Sequence, residues 1–248
     1  MNNADLKQTY EEHALNWHPG FNESSMICAM LDDWRSKKVL EIGCGRGQLA
    51  SMLAYAGADV LAIDYSTREI KEAQKRYNLK NLTFREGNFD SVQTRYDVIV
   101  MQGVLEHLDK PFEALSLLMK NHLVADGCAV LSVPHWVNPR GYVYHTLRML
   151  LDAKMSLTDL HYFLPDDFQA FCEAHTYHGR FMSTDMSWAS ADECITDFQD
   201  RLPKALPDVP PENIENFLAY MDRMLKYANR DDLSGACLGV VISKKNAE

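Results

Sequence analysis

Residues 38–47 read KVLEIGCGRG, an apolar run that ends in a loop with a glycine at every second position. The run has the composition of a buried strand, and the residues after it have the apolar spacing of a helix. Gly43, Gly45 and Gly47 remove side chains that would collide with a ligand, and the first amides of a helix can bind an anionic group. The stretch therefore predicts a strand, a ligand-binding turn and a helix.

Short apolar runs and helical patterns alternate on both sides of this turn, over residues 36–134. Such alternation is typical of a parallel sheet with helices on its faces. The predicted strands are residues 38–42, 59–64, 82–84, 96–101, 128–133, 180–184 and 237–243. We expect an α/β fold with a doubly wound, mostly parallel seven-stranded sheet and helical insertions near the C-terminus.

Composition and charge narrow the class of protein. The 248 residues are 46% hydrophobic and 24% charged, as in a soluble globular protein, and this excludes a wholly disordered chain. A net charge of -10 disfavours nucleic acid and anionic membranes as partners. The cysteines are scattered, the first residues lack a secretory signal pattern, and no apolar run is long enough to span a bilayer. These features predict a cytoplasmic protein that does not associate with membranes.

The glycine spacing discriminates between two ligand classes. A dinucleotide-binding turn typically reads G-x-G-x-x-G, whereas here Gln48 follows the third glycine directly. Residues 39–47 instead resemble the first motif of the class I S-adenosylmethionine-dependent methyltransferases. Further segments resemble that family in order, and they are residues 64–65, 86–89, 102–108 and 123–131. The resemblance implies a methyltransferase fold and activity, S-adenosyl-L-methionine as cofactor and S-adenosyl-L-homocysteine as product.

The resemblance also implies roles for single residues. Asp64 stands where the family's acidic residue binds the two ribose hydroxyls, Tyr65 where a side chain stacks on adenine, and Asn88 where many members have an aspartate that meets the adenine amine. The predicted cofactor-binding residues are Tyr10, Glu41, Gly43, Gly45, Gly47, Asp64, Tyr65, Asn88, Phe89 and Gln102. The glycines, Asp64 and Asn88 have local alternatives, namely a tight turn, a helix cap and a loop residue that makes its own turn.

The family resemblance suggests a division of one domain over residues 1–248. Its predicted parts are a helical cover at 1–35, a cofactor-binding half at 36–134, a substrate-side half at 135–188, a helical insertion at 189–233, and the last strand and tail at 234–248. Within the insertion, Ile214, Phe217 and Met221 lie on one helical stripe. The stripe either packs on the main body or covers a substrate pocket.

Methyl transfer to oxygen or nitrogen requires a proton to leave the acceptor, and a histidine can take it. His107, His135 and His161 are the predicted catalytic residues. The alternative for His107 is packing within its own loop. Glu106 either orients a histidine or a water molecule or faces solvent.

Substrate contacts are expected outside the shared core. Trp136, Arg140 and Tyr144 either line an aromatic pocket with one cationic group or pack a helix against the sheet. His175 and His178 have metal-ligand chemistry at helical spacing but no clustered carboxylate or thiolate, so we predict no metal.

The preferred function is methylation of a small organic acceptor, on oxygen before nitrogen or carbon. Two alternatives remain open. A tRNA nucleoside methyltransferase predicts a segregated basic face, and a catalytically idle cofactor-binding protein predicts binding without turnover. The oligomeric state stays open between monomer and homodimer.

Overall fold

The computed structural model describes residues 21–155 and 159–244. Its helices are α1 (Phe21–Ala29), α2 (Gln48–Tyr55), α3 (Thr67–Arg76), α4 (Pro111–His122), α5 (Pro139–Leu151), α6 (Pro165–His175), α7 (Met186–Ser190), α8 (Asp192–Ala205) and α9 (Pro211–Leu225). Its strands are β1 (Lys38–Ile42), β2 (Asp59–Asp64), β3 (Leu82–Glu86), β4 (Tyr96–Gln102), β5 (Leu123–Pro134), β6 (Tyr177–Thr184) and β7 (Cys237–Lys244). No helix in these two stretches is long and apolar enough to span a bilayer.

The strands form one sheet in the order β3-β2-β1-β4-β5-β7-β6. β7 runs antiparallel to both of its neighbours, and the remaining pairs are parallel. The predicted fold class, a mostly parallel sheet of seven strands, is therefore confirmed. β1 lies between β2 and β4. The strands that follow β1 are added first on one side of it, as β2 and β3, and then on the other side, as β4 and β5. In such a sheet a ligand crevice forms at the carboxyl end of the strand where the order reverses.

Helices cover both faces of the sheet, which explains why its central strands read as continuous apolar runs. On one face α1, α2 and α3 bury Ile27, Leu53 and Ile70. On the other face α4 and α6 bury Leu118 and Phe168. The loops at the carboxyl ends of the strands are thereby held on a rigid support.

Helices α8 and α9 build a third core, together with α5. Tyr144, Phe198 and Met221 are buried in it. The apolar stripe of α9 therefore packs against this core, which is the first of the two alternatives given in the sequence analysis. Ile214 and Phe217 of the same stripe also line an apolar cavity of about 350 Å³.

Candidate functional site

The glycine turn after β1 is held by β2. Amides of Gly43 and Cys44 donate to the Ile63 carbonyl at 2.8 and 3.0 Å. The Gly45 amide donates to Asp64 Oδ2 at 2.9 Å, and the Ser66 amide donates to Asp64 Oδ1 at 2.8 Å. Each carboxylate oxygen has capacity for a second hydrogen bond. Asp64 thus fixes the turn and can still accept from a ligand.

The three glycines of the turn serve different purposes. All have positive φ, at 73°, 48° and 78° for Gly43, Gly45 and Gly47. A Cβ on Gly43 would lie 2.4 Å from Val104 Cγ2, and one on Gly47 would lie 2.5 Å from the ring of Phe84. A Cβ on Gly45 would meet no atom of residues 21–155 or 159–244 within 4 Å. Packing accounts for the outer two glycines, whereas the middle one borders open space.

Glu41 is a buried carboxyl next to the turn. Its Oε2 has no hydrogen-bond partner among the residues that the structure describes, and the residue is 2% exposed. Burial, and then the negative charge of Asp64, raise the pKa of Glu41 to about 8. A positively charged group bound at the turn would relieve this cost, because an opposite charge favours the ionised carboxylate.

The remaining predicted contacts of the adenosine lie beside Asp64. Tyr65 is exposed, and Asn88 is exposed at the start of a 3₁₀ turn, Phe89–Ser91. The Gly87 amide donates to the Asp64 carbonyl at 2.9 Å, which ties the end of β3 to the end of β2. The structure therefore brings Asp64, Tyr65 and Asn88 to one side of the crevice. Tyr10 lies outside the described residues.

Gln102 occupies a position that differs from the expectation. Its Oε1 accepts from Ser24 Oγ at 2.9 Å, and its Nε2 donates to Glu23 Oε2 at 3.1 Å. Ser132 Oγ donates to the other oxygen of Glu23 at 2.7 Å. The side chain of Gln102 thus joins α1 to the sheet, because both ends of its amide are used. The polar pair Glu23–Ser24 within an apolar helix is the sequence signal for this contact, and the sequence analysis missed it.

A cluster of three side chains follows β4. His107 Nε2 lies 3.9 Å from Glu106 Oε1, and His107 Nδ1 lies 3.7 Å from Asp159 Oδ1. Burial, and then the charge of Asp159, raise the pKa of Glu106 well above its ordinary value. One nitrogen or oxygen atom from each residue lies within 4.8 Å of the others, a spacing that a metal ion could also bridge. Asp159 is distant in sequence, so the sequence analysis could not have placed it here.

The other two predicted catalytic histidines have structural contacts. His135 is fully buried, its Nδ1 donates to the Gly235 carbonyl at 3.1 Å, and burial lowers its pKa. His161 Nε2 donates to the Leu108 carbonyl at 2.8 Å, and its ring stacks on Phe163. The lowered pKa disfavours protonation of His135. All three histidines stay predicted catalytic residues, and His107 is the one that lies beside two carboxyl groups.

The predicted substrate residues lie in the third core. Trp136 and Tyr144 are 3% and 2% exposed. Arg140 lies over both rings, and its Nε donates to Asp197 Oδ2 at 2.9 Å. The Tyr144 hydroxyl donates to the Met155 carbonyl at 3.2 Å. The structure therefore favours the packing alternative over an open aromatic pocket, because both rings are buried and Arg140 is bound to Asp197, which also pairs with Arg201 at 2.6 Å.

Comparison with known proteins shows which family the chain belongs to. The methyltransferase domain family matches residues 26–186, which is more than half of the chain. The chain belongs to this family. The methyltransferase is 37% identical over 103 residues to the mitochondrial ubiquinone biosynthesis O-methyltransferase of Schizosaccharomyces pombe, covering 39% of this chain and 37% of that protein. It is 28% identical over 174 residues to the ubiquinone biosynthesis O-methyltransferase of Acinetobacter baumannii (strain AYE), covering 60% of this chain and 73% of that protein.

Solved structures share the fold of the methyltransferase at low sequence identity. A possible histamine N-methyltransferase from Thermotoga maritima is 14% identical and superposes with a TM-score of 0.62 over 97% of this chain and 99% of that chain. The mycolic acid cyclopropane synthase CmaA1, in complex with S-adenosylhomocysteine, is 18% identical with a TM-score of 0.59, covering 89% of this chain and 82% of that chain.

The class I resemblance is thereby confirmed, and with it S-adenosylmethionine as the cofactor. The residues present fit this group. Within the described part of the chain, the space at Gly45 is open and can receive the amino acid end, and one oxygen of Glu41 has no partner and can face a cation. The Asp64 carboxylate is an acceptor suited to hydroxyls.

Proposed function

We propose that the methyltransferase methylates a hydroxyl oxygen of a small organic acceptor at the carboxyl ends of β1 and β4. The observation that carries the proposal is that β1 pairs directly with β4, so the open turn at Gly45 and the imidazole of His107 follow neighbouring strand ends. The names of the two curated relatives support oxygen as the methylated atom. His107 would then act as the general base.

The chain's own residues divide the work. When bound, S-adenosylmethionine would supply a methyl group attached to a positively charged sulfur, and that sulfur becomes a neutral thioether once the methyl group is transferred. Gly45 and Asp64 bind and orient the cofactor, and Glu41 faces its positive charge. His107 accepts the acceptor's proton, an effect of about 10²- to 10⁴-fold in rate for a well-placed base.

The sequence analysis left two alternatives open, a tRNA nucleoside methyltransferase and a catalytically idle cofactor-binding protein. The acidic composition favours a small acceptor over tRNA, and an idle protein would bind the cofactor without transferring its methyl group. The cytoplasmic location and the division of the chain into five parts stay predictions, and the Schizosaccharomyces pombe relative is named as mitochondrial.

Replacing Asp64 by alanine tests the cofactor site. The Asp64→Ala variant loses a charged acceptor, so we expect S-adenosylmethionine to bind more weakly by about 1.5 to 3 kcal/mol in isothermal titration. Asp59→Ala, at the exposed opposite end of β2, is the matched control and should bind as the wild type does. Equal affinity of the two variants would contradict the assignment.

A methyl-transfer screen then tests the acceptor. The wild-type protein is assayed with labelled cofactor against phenols and catechols, aliphatic amines, and unmodified tRNA. Transfer to hydroxyl oxygen supports the proposal. Transfer to amines or tRNA alone, or binding without any transfer, overturns it.

A further inference from the structure

Glu41 is a carboxyl group in an apolar layer directly before the glycine turn. In the sheet it lies between Ala62 of β2 and Val100 of β4, and both of these residues are fully buried. Glu41 itself is 2% exposed, and its Oε2 has no hydrogen-bond partner within residues 21–155 and 159–244. A buried polar atom without a partner is rare, because it loses its contact with water without compensation. The oxygen of Glu41 therefore points to a group that binds beside it.

The ionisable groups that face Glu41 from neighbouring elements are acids and thiols. Asp64, at the end of β2, acts on Glu41 with its negative charge. Burial, and then the charge of Glu41, raise the pKa of Cys28 in α1 to about 11. The same two causes raise the pKa of Cys44 in the turn well above its ordinary value. These neighbours supply no positive charge to an ionised Glu41.

The arginine of the turn pairs with a different acid. Arg46 Nε lies 3.1 Å from Glu69 Oε2 of α3. No cation among the described residues pairs with Glu41. Burial, and then the charge of Asp64, therefore raise the pKa of Glu41 to about 8. Below about pH 7 the carboxyl of the free protein is neutral, because the ionised form would be buried without a counter-ion.

We propose that Glu41 gives up its proton when the ammonium group of S-adenosylmethionine enters the space at Gly45, so that affinity for the cofactor depends on pH. A Cβ at Gly45 would meet no atom of the described residues within 4 Å, and the turn that contains this space begins directly after β1. The inference rests on the proposed function in one respect, namely that the amino acid end of the cofactor lies at this turn. The methyl acceptor has no part in it.

The proton step is balanced. The O–H bond of the neutral carboxyl breaks, the proton passes to solvent, and the carboxylate forms an ion pair with the ammonium group. An opposite charge favours the ionised carboxyl, so a bound ammonium group and a proton on Glu41 each disfavour the other. Binding is therefore weaker at acid pH, where the proton has to be removed, and becomes tighter as the pH rises. No oxidant or reductant is involved.

Titration calorimetry in several buffers counts the protons released. At about pH 6.5, the slope of the binding enthalpy against the ionisation enthalpy of the buffer gives that number. We expect about one proton per molecule of S-adenosylmethionine for the wild type and less than about 0.2 for Glu41→Gln. Asp59→Asn, at the exposed start of β2, is the matched control and should release as many protons as the wild type. Equal proton release by the wild type and Glu41→Gln would overturn the inference.

A comparison of ligands needs only the wild-type protein. S-adenosylhomocysteine keeps the ammonium group but lacks the positive charge on sulfur, whereas 5′-methylthioadenosine keeps the adenosine and the sulfur but lacks the amino acid end. We expect about one proton to be released with S-adenosylhomocysteine and none with 5′-methylthioadenosine. Release with S-adenosylmethionine alone would assign the proton to the charge on sulfur, and release with 5′-methylthioadenosine would assign it to the adenosine side. Either result would overturn the inference.

The affinity measured at different pH values gives a further readout. Between about pH 5.5 and 7.0, the Kd of S-adenosylmethionine for the wild type should fall by about 30-fold, because release of one proton changes affinity tenfold per pH unit. The α-amino group of the ligand stays largely protonated over this range. The Kd for Glu41→Gln should change by less than about threefold, and a wild-type Kd that stays constant would overturn the inference.

These titrations measure binding, so their outcome is separate from that of the methyl-transfer screen. A protein that transfers methyl groups to hydroxyl oxygen but releases no proton on binding would overturn the role of Glu41 alone. A protein that releases the proton but methylates no hydroxyl would overturn the proposed function and leave the role of Glu41 supported.

Discussion

The glycine turn and the aromatic core around Trp136 both follow the carboxyl end of a parallel strand, yet they are built differently. In the turn, polar groups are held by backbone amides close by, as Asp64 is by Gly45 and Ser66. In the aromatic core, Arg140 is held by Asp197, which lies 57 residues away. The turn keeps the Asp64 carboxylate bound to backbone amides beside the crevice, whereas the arrangement around Arg140 has closed into a core.

The largest expected effect tests the closed core. Trp136→Ala removes a nearly fully buried ring that contacts Tyr144 and Tyr162, with centroids at 5.0 and 5.4 Å. We expect the free energy of unfolding in urea to fall by about 3 to 5 kcal/mol. Trp188→Ala, at a residue that is 43% exposed, should cost less than about 1 kcal/mol. If Trp136→Ala retained wild-type stability and raised only the KM of the acceptor, the residue would line a pocket after all.

The second prediction concerns the buried charge beside the turn. Folding raises the pKa of Glu41 from 4.5 to about 8, so between these values the folded chain binds more protons than the unfolded chain. Its contribution to stability is therefore fully present below pH 4.5 and is lost as the pH rises through about 8.

Glu41→Gln removes this dependence. Between pH 5.5 and 7.5, the difference in unfolding free energy between wild type and variant should change by about 2 kcal/mol, with the wild type losing stability as the pH rises. Urea denaturation of both proteins at each pH measures it, and the comparison cancels the contributions of other buried carboxyls such as Glu23 and Glu106. A pH-independent difference would show that Glu41 is not an isolated buried acid.

The same contrast explains how much of the molecule is readable in the sequence. The seven strands follow from apolar periodicity, and the predicted roles of Gly45 and Asp64 follow from motifs at two strand ends, so a pattern in the sequence can indicate both. Confirmation of the cofactor does not extend to each predicted contact, and Phe89 and Tyr10 stay predictions.

The contacts of side chains on the acceptor side depend instead on partners that are distant in sequence, and no local sequence pattern predicts those partners. Arg140 reads as a free cation until Asp197 is placed beside it, and Gln102 reads as a ligand contact until Glu23 and Ser24 are seen to bind it. Asp159 is likewise visible only when the fold brings it to His107. Arg140 and Gln102 were interpreted without these partners because the partners lie far away in the sequence.

The smallest expected effect separates backbone strain from ligand contact at the turn. Gly45 has a φ of 48° and Gly57 a φ of 94°, and a methyl group on Gly57 would have its nearest contact 3.1 Å away, on the flexible side chain of Arg35. Alanine at either position should lower the unfolding free energy by about 1 kcal/mol, because both would hold a side chain at positive φ. Only Gly45→Ala places its methyl group in the open space of the crevice, so only that variant should weaken S-adenosylmethionine binding, by about tenfold in titration. Equal binding by the two variants would mean that the cofactor does not contact the middle of the turn. Asp64 would then be the only one of these two residues that remains a predicted cofactor contact.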